Sequence, residues 1–347
     1  MTDPNQQMHP PGGDSTTLPV TVVIPVRNEL ASIEPLLTVV FAQTPPPAAV
    51  IAVDAGSTDG TRQVLHRWQA HQPAFRLIEV ARAYPGEGRN LGTAAATTPW
   101  VAYLDAGTLP DPDWLPQLWQ VAAQTTADAV YGYFRPNLQT RVGRWFALAV
   151  LPGTTRRETG WMRIHSITCS LVRVAAWEAV GGFPPYRAAE DRIFMKALAA
   201  QGPIAEAPRA AITWHSPQDW LGVWRRTTGL AEHSARAGRA RDWHWPTLRL
   251  WLLGLTVLLA IPKPANVLAI LLATALRAWR RLRRHRQDPQ LSARRWSDLP
   301  GTMVMLLMVD LATLVGWYSR WITPTDPGAA PAPAGHAEVP DESATMG

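Results

Sequence analysis

The chain has 347 residues, 47% of them apolar, a formal net charge of +6 and one cysteine. That length and apolar share suffice for one large domain or two smaller ones around a buried core, and the lone Cys169 excludes an internal disulfide or a multi-cysteine metal site. The charge is local: Trp220 to Pro300 holds fifteen Arg or Lys against four Asp or Glu. There it keeps apolar company, Leu250–Ile261 and Ala265–Leu276, flanked by Trp243, Trp245, Trp251, Trp279 and Trp296. Basic charge beside apolar runs and an aromatic belt points to a membrane surface and away from nucleic acid.

In chain order, residues 1–18 are polar and rich in Pro and Gly, without a secretory signal's basic start, apolar stretch and cleavage site; they are expected to be disordered and export is not expected. Strands are predicted at Val20–Val26, Val50–Val53, Phe75–Val80, Trp100–Leu104 and Ala129–Phe134 from β-branched and aromatic enrichment. Helical spacing separates the first four: Leu30, Ile33, Leu37 and Val40; then Val64, Leu65 and Trp68 behind Thr58 and Asp59; then the Ala-rich run after Asn90. Such alternation predicts an α/β fold, a mostly parallel sheet covered by helices on both faces, with ligands at the carboxyl ends of the strands. Polar motifs stand there: Arg27 and Asn28, Asp54, the Gly86 to Gly92 loop, and Asp105. Arg135 to His165 lacks periodicity and is read as a loop on the acceptor side. A short strand is expected at Ile167–Val172, then Gly181-Gly182-Phe183 and a helix from Asp191 to Ala200 stopped by Gly202. The first domain is expected at 19–220, a basic, Trp-rich helical region at 221–323 and a disordered tail at 324–347.

Four segments, Val23-Ile24-Pro25-Val26-Arg27-Asn28-Glu29, Val53-Asp54-Ala55-Gly56-Ser57-Thr58-Asp59-Gly60-Thr61, Gly88-Arg89-Asn90-Leu91-Gly92 and Leu104-Asp105-Ala106-Gly107-Thr108, together resemble the family-2 glycosyltransferases of the GT-A fold. The resemblance covers about Pro19 to Trp220 and continues through Gly181-Gly182-Phe183 and Glu190-Asp191. It implies an inverting transfer of sugar from a nucleotide-sugar donor to a lipid, polyprenyl-phosphate or saccharide acceptor. Donor contacts carried over from it are Pro25, Asn28, Glu29, Asp54, Arg89, Asp105 and Arg226. Asp191 would be the base, with Glu190 as orienter or acceptor contact, because direct displacement needs one carboxylate at the acceptor hydroxyl.

Asp105 falls where the family carries an Asp-x-Asp motif for a divalent cation bridging the diphosphate, Mg²⁺ or Mn²⁺, and His215 resembles a histidine that some relatives add to that metal. Two positions depart from the pattern: Ala55 replaces a second acid after Asp54, and Gly107 replaces the second Asp of the metal motif. One carboxylate plus phosphates could still hold a hard cation, more weakly. Each position also has a plainer reading: Asp54 opening the Gly56-Ser57 turn, Asp59 capping the next helix, Arg89 as a surface arginine, and the acidic pair at a positive helix end. Arg225 and Arg226, in Trp-x-x-x-Trp-Arg-Arg, serve either phosphate binding or lipid-face anchoring. Two other function classes remain as alternatives: a non-catalytic GT-A-like membrane scaffold, and a dinucleotide-dependent oxidoreductase built on Gly86, Gly88 and Gly92.

Leu250–Ile261 is 12 residues, about 18 Å as a helix against roughly 30 Å of hydrocarbon, so neither apolar run spans alone. Pro262-Lys263-Pro264 breaks the two runs into a hairpin. Arg249 and the group Arg277, Arg280, Arg281, Arg283, Arg284 and Arg286 favour both ends on the cytoplasmic side of the inner membrane. Met303–Trp317, with Asp310 inside it and Arg294, Arg295 and Arg320 around it, is a third apolar segment, and the number of spans stays open.

Overall fold

The computed structural model of the chain describes residues 17–236, 240–260, 265–292 and 296–319. Residues 1–16, Pro262-Lys263-Pro264, Arg294, Arg295, Arg320 and the tail 324–347, all given roles above, lie outside the described residues. Leu18, expected in the disordered start, instead opens the first strand.

The first half alternates as expected: β1 (Leu18–Val26), α1 (Leu30–Phe41), β2 (Pro47–Ala55), α2 (Thr61–His71), β3 (Phe75–Val80), α3 (Pro85–Ala94), β4 (Trp100–Tyr103), β5 (Thr108–Pro110), α4 (Trp114–Gln124) and β6 (Ala129–Pro136). Then come α5 (Arg141–Val150), the hairpin β7 (Thr155–Arg157) and β8 (Gly160–Met162), β9 (Ser170–Arg173), α6 (Val174–Ala179), α7 (Glu190–Gln201) and β10 (Ile204–Trp214). Eight strands form one sheet in the order β3-β2-β1-β4-β9-β6-β10-β5. β1 to β4 run parallel, whereas β9 is antiparallel to both neighbours and β5 is antiparallel to β10. The two-residue period of a strand divides the core: Val20, Val22, Ile24 and Val26 pack with α1 and α4 on one face. Val23 turns to the other, with Tyr103, Phe183 and Phe194.

Three sequence expectations are corrected. The stretch from Arg135 to His165 contains α5, whose buried Phe146, Ala147, Leu148 and Ala149 face a second core, and the β7–β8 hairpin. Gly143 and the arginines at 141 and 144 broke the apolar pattern of the helix, which Thr140 caps by accepting the Gly143 N–H at 3.0 Å. Ile167–Cys169 is a 3-10 turn and the strand begins only at Ser170. The Gly86 to Gly92 loop is in fact α3: a Cβ on Gly88 would press on Pro25, and one on Gly92 would collide with Val23. These glycines let a helix lie flat on β1, which a helix-propensity reading penalises.

Among the described residues four helices follow: α8 (Trp220–Arg236), α9 (Ala240–Ala260), α10 (Ala265–Arg284) and α11 (Asp298–Ser319). Among the described residues, α11 is the one helix long and apolar enough to cross a membrane, yet 44% of its apolar window is buried by the rest of the protein. Gly301 takes the ring of Trp145, Gly316 lies against Thr228 and Ala231 of α8, and Asp310 receives both terminal nitrogens of Arg277 at 2.6 and 3.1 Å. Arg277, expected at a membrane interface, therefore neutralises a buried acid. Arg163 and Asp288, both fully buried, pair and fasten the segment after β8 to the segment after α10. In contrast, α9 and α10 expose Leu252, Leu253, Leu259, Leu268, Leu271 and Leu272.

Candidate functional site

The carboxyl ends of β1, β2 and β4 open into a cleft of about 820 Å³. Its walls come from Pro25 and Val26 at the end of β1, Arg27 and Glu29 after it, Val53 and Ala55 of β2, Gly88 and Arg89 of α3, and Asp105 to Gly107 after β4. The opposite side is formed by Arg187 to Asp191 leading into α7, by Trp214 and His215, and by Arg225, Arg226, Gly229, Leu230 and His233 of α8. Of the residues singled out in the sequence, Pro25, Glu29, Arg89, Asp105, Glu190, Asp191, His215 and Arg226 meet there.

Arg89 is the centre of the arrangement. Its side chain is buried, donates to Asp105 at 2.6 Å and to Glu190 at 3.1 Å, and lies 5.4 Å from the Phe183 ring centroid. A desolvated guanidinium is costly unless paired, and two carboxylates pair it. Burial alone would lower its pKa, but Asp105 and Glu190 hold it above the usual arginine value. The reading of Arg89 as a surface arginine is thus corrected, and so is its place in a turn: it lies inside α3 with both terminal nitrogens occupied. Burial pushes Glu190 up to about 7, with Asp191 adding to the shift and Arg89 opposing it. Asp191, half-buried and lining the cleft, accepts the Arg192 N–H at 2.7 Å. Both acids occupy the first turn of α7, behind Ala189 in a left-handed conformation (φ 68°).

Asn28 and Asp54 do not line the cleft. Asn28, at φ 56°, donates its N–H to Ser57 and accepts the Thr58 N–H, latching the loop after β1 to the loop after β2. Asp54 is fully buried, accepting the Ser57 N–H at 3.0 Å and Arg62 Nε at 2.8 Å. The alternation of β2 turns Val53 and Ala55 toward the cleft and Asp54 away, so the geometry supports the turn reading of Asp54 over the nucleoside contact. Asp59 bridges two helices: one oxygen accepts the Thr61 N–H and the other the Leu30 N–H.

Residues 21–181 match the profile of Glycosyl transferase family 2. This segment is a family 2 glycosyltransferase domain. The chain is 32% identical to glycosyltransferase AglE of Haloferax volcanii, over 49% of this chain and 58% of that protein. It is 30% identical to succinoglycan biosynthesis protein ExoA of Rhizobium meliloti, over 47% of this chain and 52% of that one. The chain thus spans about half the length of these curated relatives. Its fold is GT-A: mannosyltransferase PcManGT from Pyrobaculum calidifontis, solved in complex with GDP-Man and Mn²⁺, superposes with a TM-score of 0.57 at 22% identity, covering 86% of this chain and 87% of that one.

Within the glycosyltransferase domain the dinucleotide reading fails, because Gly86, Gly88 and Gly92 face packed protein: Glu190 and Phe183, Pro25, and Val23 respectively. For the metal, the described residues hold no group of three or more His, Cys, Asp or Glu. The two sides of the cleft meet near Asp105 and His215, because the His215 N–H donates to the Gly107 carbonyl at 3.0 Å. Arg89 takes one oxygen of Asp105 and leaves the other for a cation. A shell completed by phosphate oxygens and water fits this sparse set.

Sequence reasoning counted Arg226 among the donor contacts but did not see the rest of α8 as a wall of the site. It set the domain end at Trp220 and left Arg225 and Arg226 between phosphate and lipid, whereas both arginines line the cleft, with Arg226 4.8 Å from the Trp214 ring centroid. The signal was present: residues 226, 229, 230 and 233 have the spacing of one helix face. Arg27, a polar residue singled out after the first strand, is also in the walls, as is Arg187, which carried no motif.

Proposed function

We propose that the chain is an inverting, membrane-bound glycosyltransferase that takes a sugar from a nucleoside diphosphate donor to a lipid, polyprenyl-phosphate or saccharide acceptor at the cytoplasmic face of the inner membrane. The observation that carries this reading is the Arg89 bridge, which sets Asp105 and the Glu190–Asp191 pair on facing walls of one cleft. The donor diphosphate lies by Asp105 and Arg226, and the acceptor hydroxyl meets Asp191. Asp191 takes the acceptor proton as the glycosidic bond forms. Glu190, buried and tied to Arg89, orients the turn, which leaves the half-buried Asp191 as the carboxylate open to an acceptor hydroxyl.

Asp105 and His215 are the side chains that would hold a divalent cation, Mg²⁺ or Mn²⁺, whose chemistry is neutralisation of the diphosphate charge. Support comes from the GDP-Man and Mn²⁺ held by PcManGT, a protein of the same fold. The membrane reading is supported by the leucines exposed on α9 and α10, by Trp251, Trp279 and Trp296 at 40%, 37% and 77% exposure, and by the arginines that close α10. As α11 is half covered by protein and carries the Arg277–Asp310 pair, it serves here as a strut under α8, and α9 with α10 form the lipid-facing hairpin.

The test is nucleotide release by the full chain from a panel of nucleoside diphosphate-sugars, with total lipid extract as acceptor. Asp191→Asn should lower turnover by about 10²–10⁴-fold, the contribution of a general base, while nucleoside diphosphate binding stays within a few-fold. Near-normal turnover of the variant would remove Asp191 as the base. Absence of any nucleoside diphosphate binding by the wild type would favour the non-catalytic scaffold.

A further inference from the structure

The cleft holds more positive charge than a donor diphosphate with a cation requires. Arg226 faces Asp105 and Glu29 and so belongs to the donor wall. Two turns along the same face of α8, His233 lines the other end of the cleft beside Arg187. Arg187 precedes Glu190 by three residues, on the segment that carries the acidic pair, so it flanks the place where the acceptor hydroxyl is activated. It is exposed to the cleft and makes no ion pair among the described residues.

We propose that Arg187 and His233 form a second anion subsite, separate from the donor diphosphate, that takes a phosphate group carried by the acceptor. The proposal rests on the glycosyltransferase reading and narrows its acceptor class. A guanidinium fork beside an imidazole N–H matches the several oxygens of a phosphate better than it matches a neutral sugar. Burial, followed by the Arg187 charge, holds His233 down at about 4, so its ring is neutral at physiological pH and donates one hydrogen bond without adding charge. Between Arg226 and His233 the helix presents Leu230, 38% exposed, as an apolar surface in the same cleft. The side of α8 holding Thr228 and Ala231 rests on α11 at Gly316, and α8 and α11 both touch α9, one of the two helices bearing the exposed leucines. An acceptor with a phosphate head and a hydrocarbon tail matches both features.

The experiment uses the full chain in detergent, first saturated with the nucleoside diphosphate that binds in the donor panel together with Mn²⁺, then titrated with farnesyl phosphate, farnesol or glucose 1-phosphate. Farnesyl phosphate should bind without displacing the nucleotide, at least ten-fold tighter than farnesol. Arg187→Gln and His233→Asn should each weaken it by ten-fold or more and change nucleotide binding by less than two-fold. Glucose 1-phosphate binding as tightly as farnesyl phosphate would support the phosphate subsite and assign it to a soluble acceptor, whereas much weaker binding assigns it to a lipid. Displacement of nucleotide by farnesyl phosphate, equal loss of both ligands in the variants, or farnesol binding as well as its phosphate would overturn the subsite. Failure of the wild type to bind any nucleoside diphosphate would instead overturn the glycosyltransferase reading beneath it.

Discussion

Arg89 and Asp105 are joined by a hydrogen-bonded ion pair of 2.6 Å, although they stand on different elements, α3 and the turn after β4. Glu190 holds the same guanidinium from a third element, α7, at 3.1 Å. Removing one partner of a buried ion pair costs about 3–5 kcal/mol, because the charge left behind has lost its compensation. Arg89→Met, similar in length and uncharged, should therefore lower stability by about that amount in urea unfolding, and Arg89→Lys should recover part of it. A loss below about 1 kcal/mol in Arg89→Met would show that the two carboxylates do not depend on Arg89.

The burial of Glu190 predicts a pH dependence with a definite sign. Its ordinary value is 4.5 and its folded value about 7, so between these the folded chain holds a proton that the unfolded chain has released. This group's contribution to stability is greatest below about pH 4.5 and declines as pH rises toward 7. Unfolding at a series of pH values should show that decline in the wild type and a shallower one in Glu190→Gln. Identical slopes would mean that Glu190 is ionised in the folded protein.

Gly107 replaces the second acid of the metal motif, and the structure has room to restore it. A Cβ there would meet only Glu29 Oε1 within 4 Å, at 3.9 Å. A second carboxylate would add a hard oxygen ligand of the kind a divalent cation prefers. Gly107→Asp should tighten Mn²⁺ binding roughly ten-fold in the presence of nucleoside diphosphate, measured by metal titration. Unchanged or weaker affinity would place the cation away from this turn.

Membrane attachment rests on magnitudes. Each arginine at an anionic surface contributes about 1 kcal/mol and is screened by salt, whereas a buried leucine contributes about 1.5–3 kcal/mol and is not. Leu268 and Leu272 are 58% and 61% exposed. The wild type should stay on anionic vesicles in high salt, and the double variant Leu268→Asp with Leu272→Asp should be released by salt with an unchanged melting temperature. Release of the wild type by salt alone would leave the α9–α10 hairpin without a lipid role.

The sequence by itself determined the first half of the fold and most of the cleft. Enrichment in β-branched and aromatic residues placed β1, β3 and β4 to within two residues, and the polar residues just after β1 and β4 were legible because a parallel sheet puts its ligand site at the carboxyl ends of its strands. Tertiary structure decided what local pattern cannot encode. Asp54 and Ala55 are neighbours in a motif, but the strand alternation buries one and gives the other to the cleft. Arg89 looked like a residue on a glycine turn, and only the packing of α3 on β1 puts its guanidinium between acids 16 and 101 positions away. Local propensity placed α8 beyond the domain, yet contacts with α11 return it as a wall of the site. The physical reason is common to all three: burial and ion pairing depend on groups distant in sequence, and their free energies exceed the few tenths of a kcal/mol by which local preferences differ.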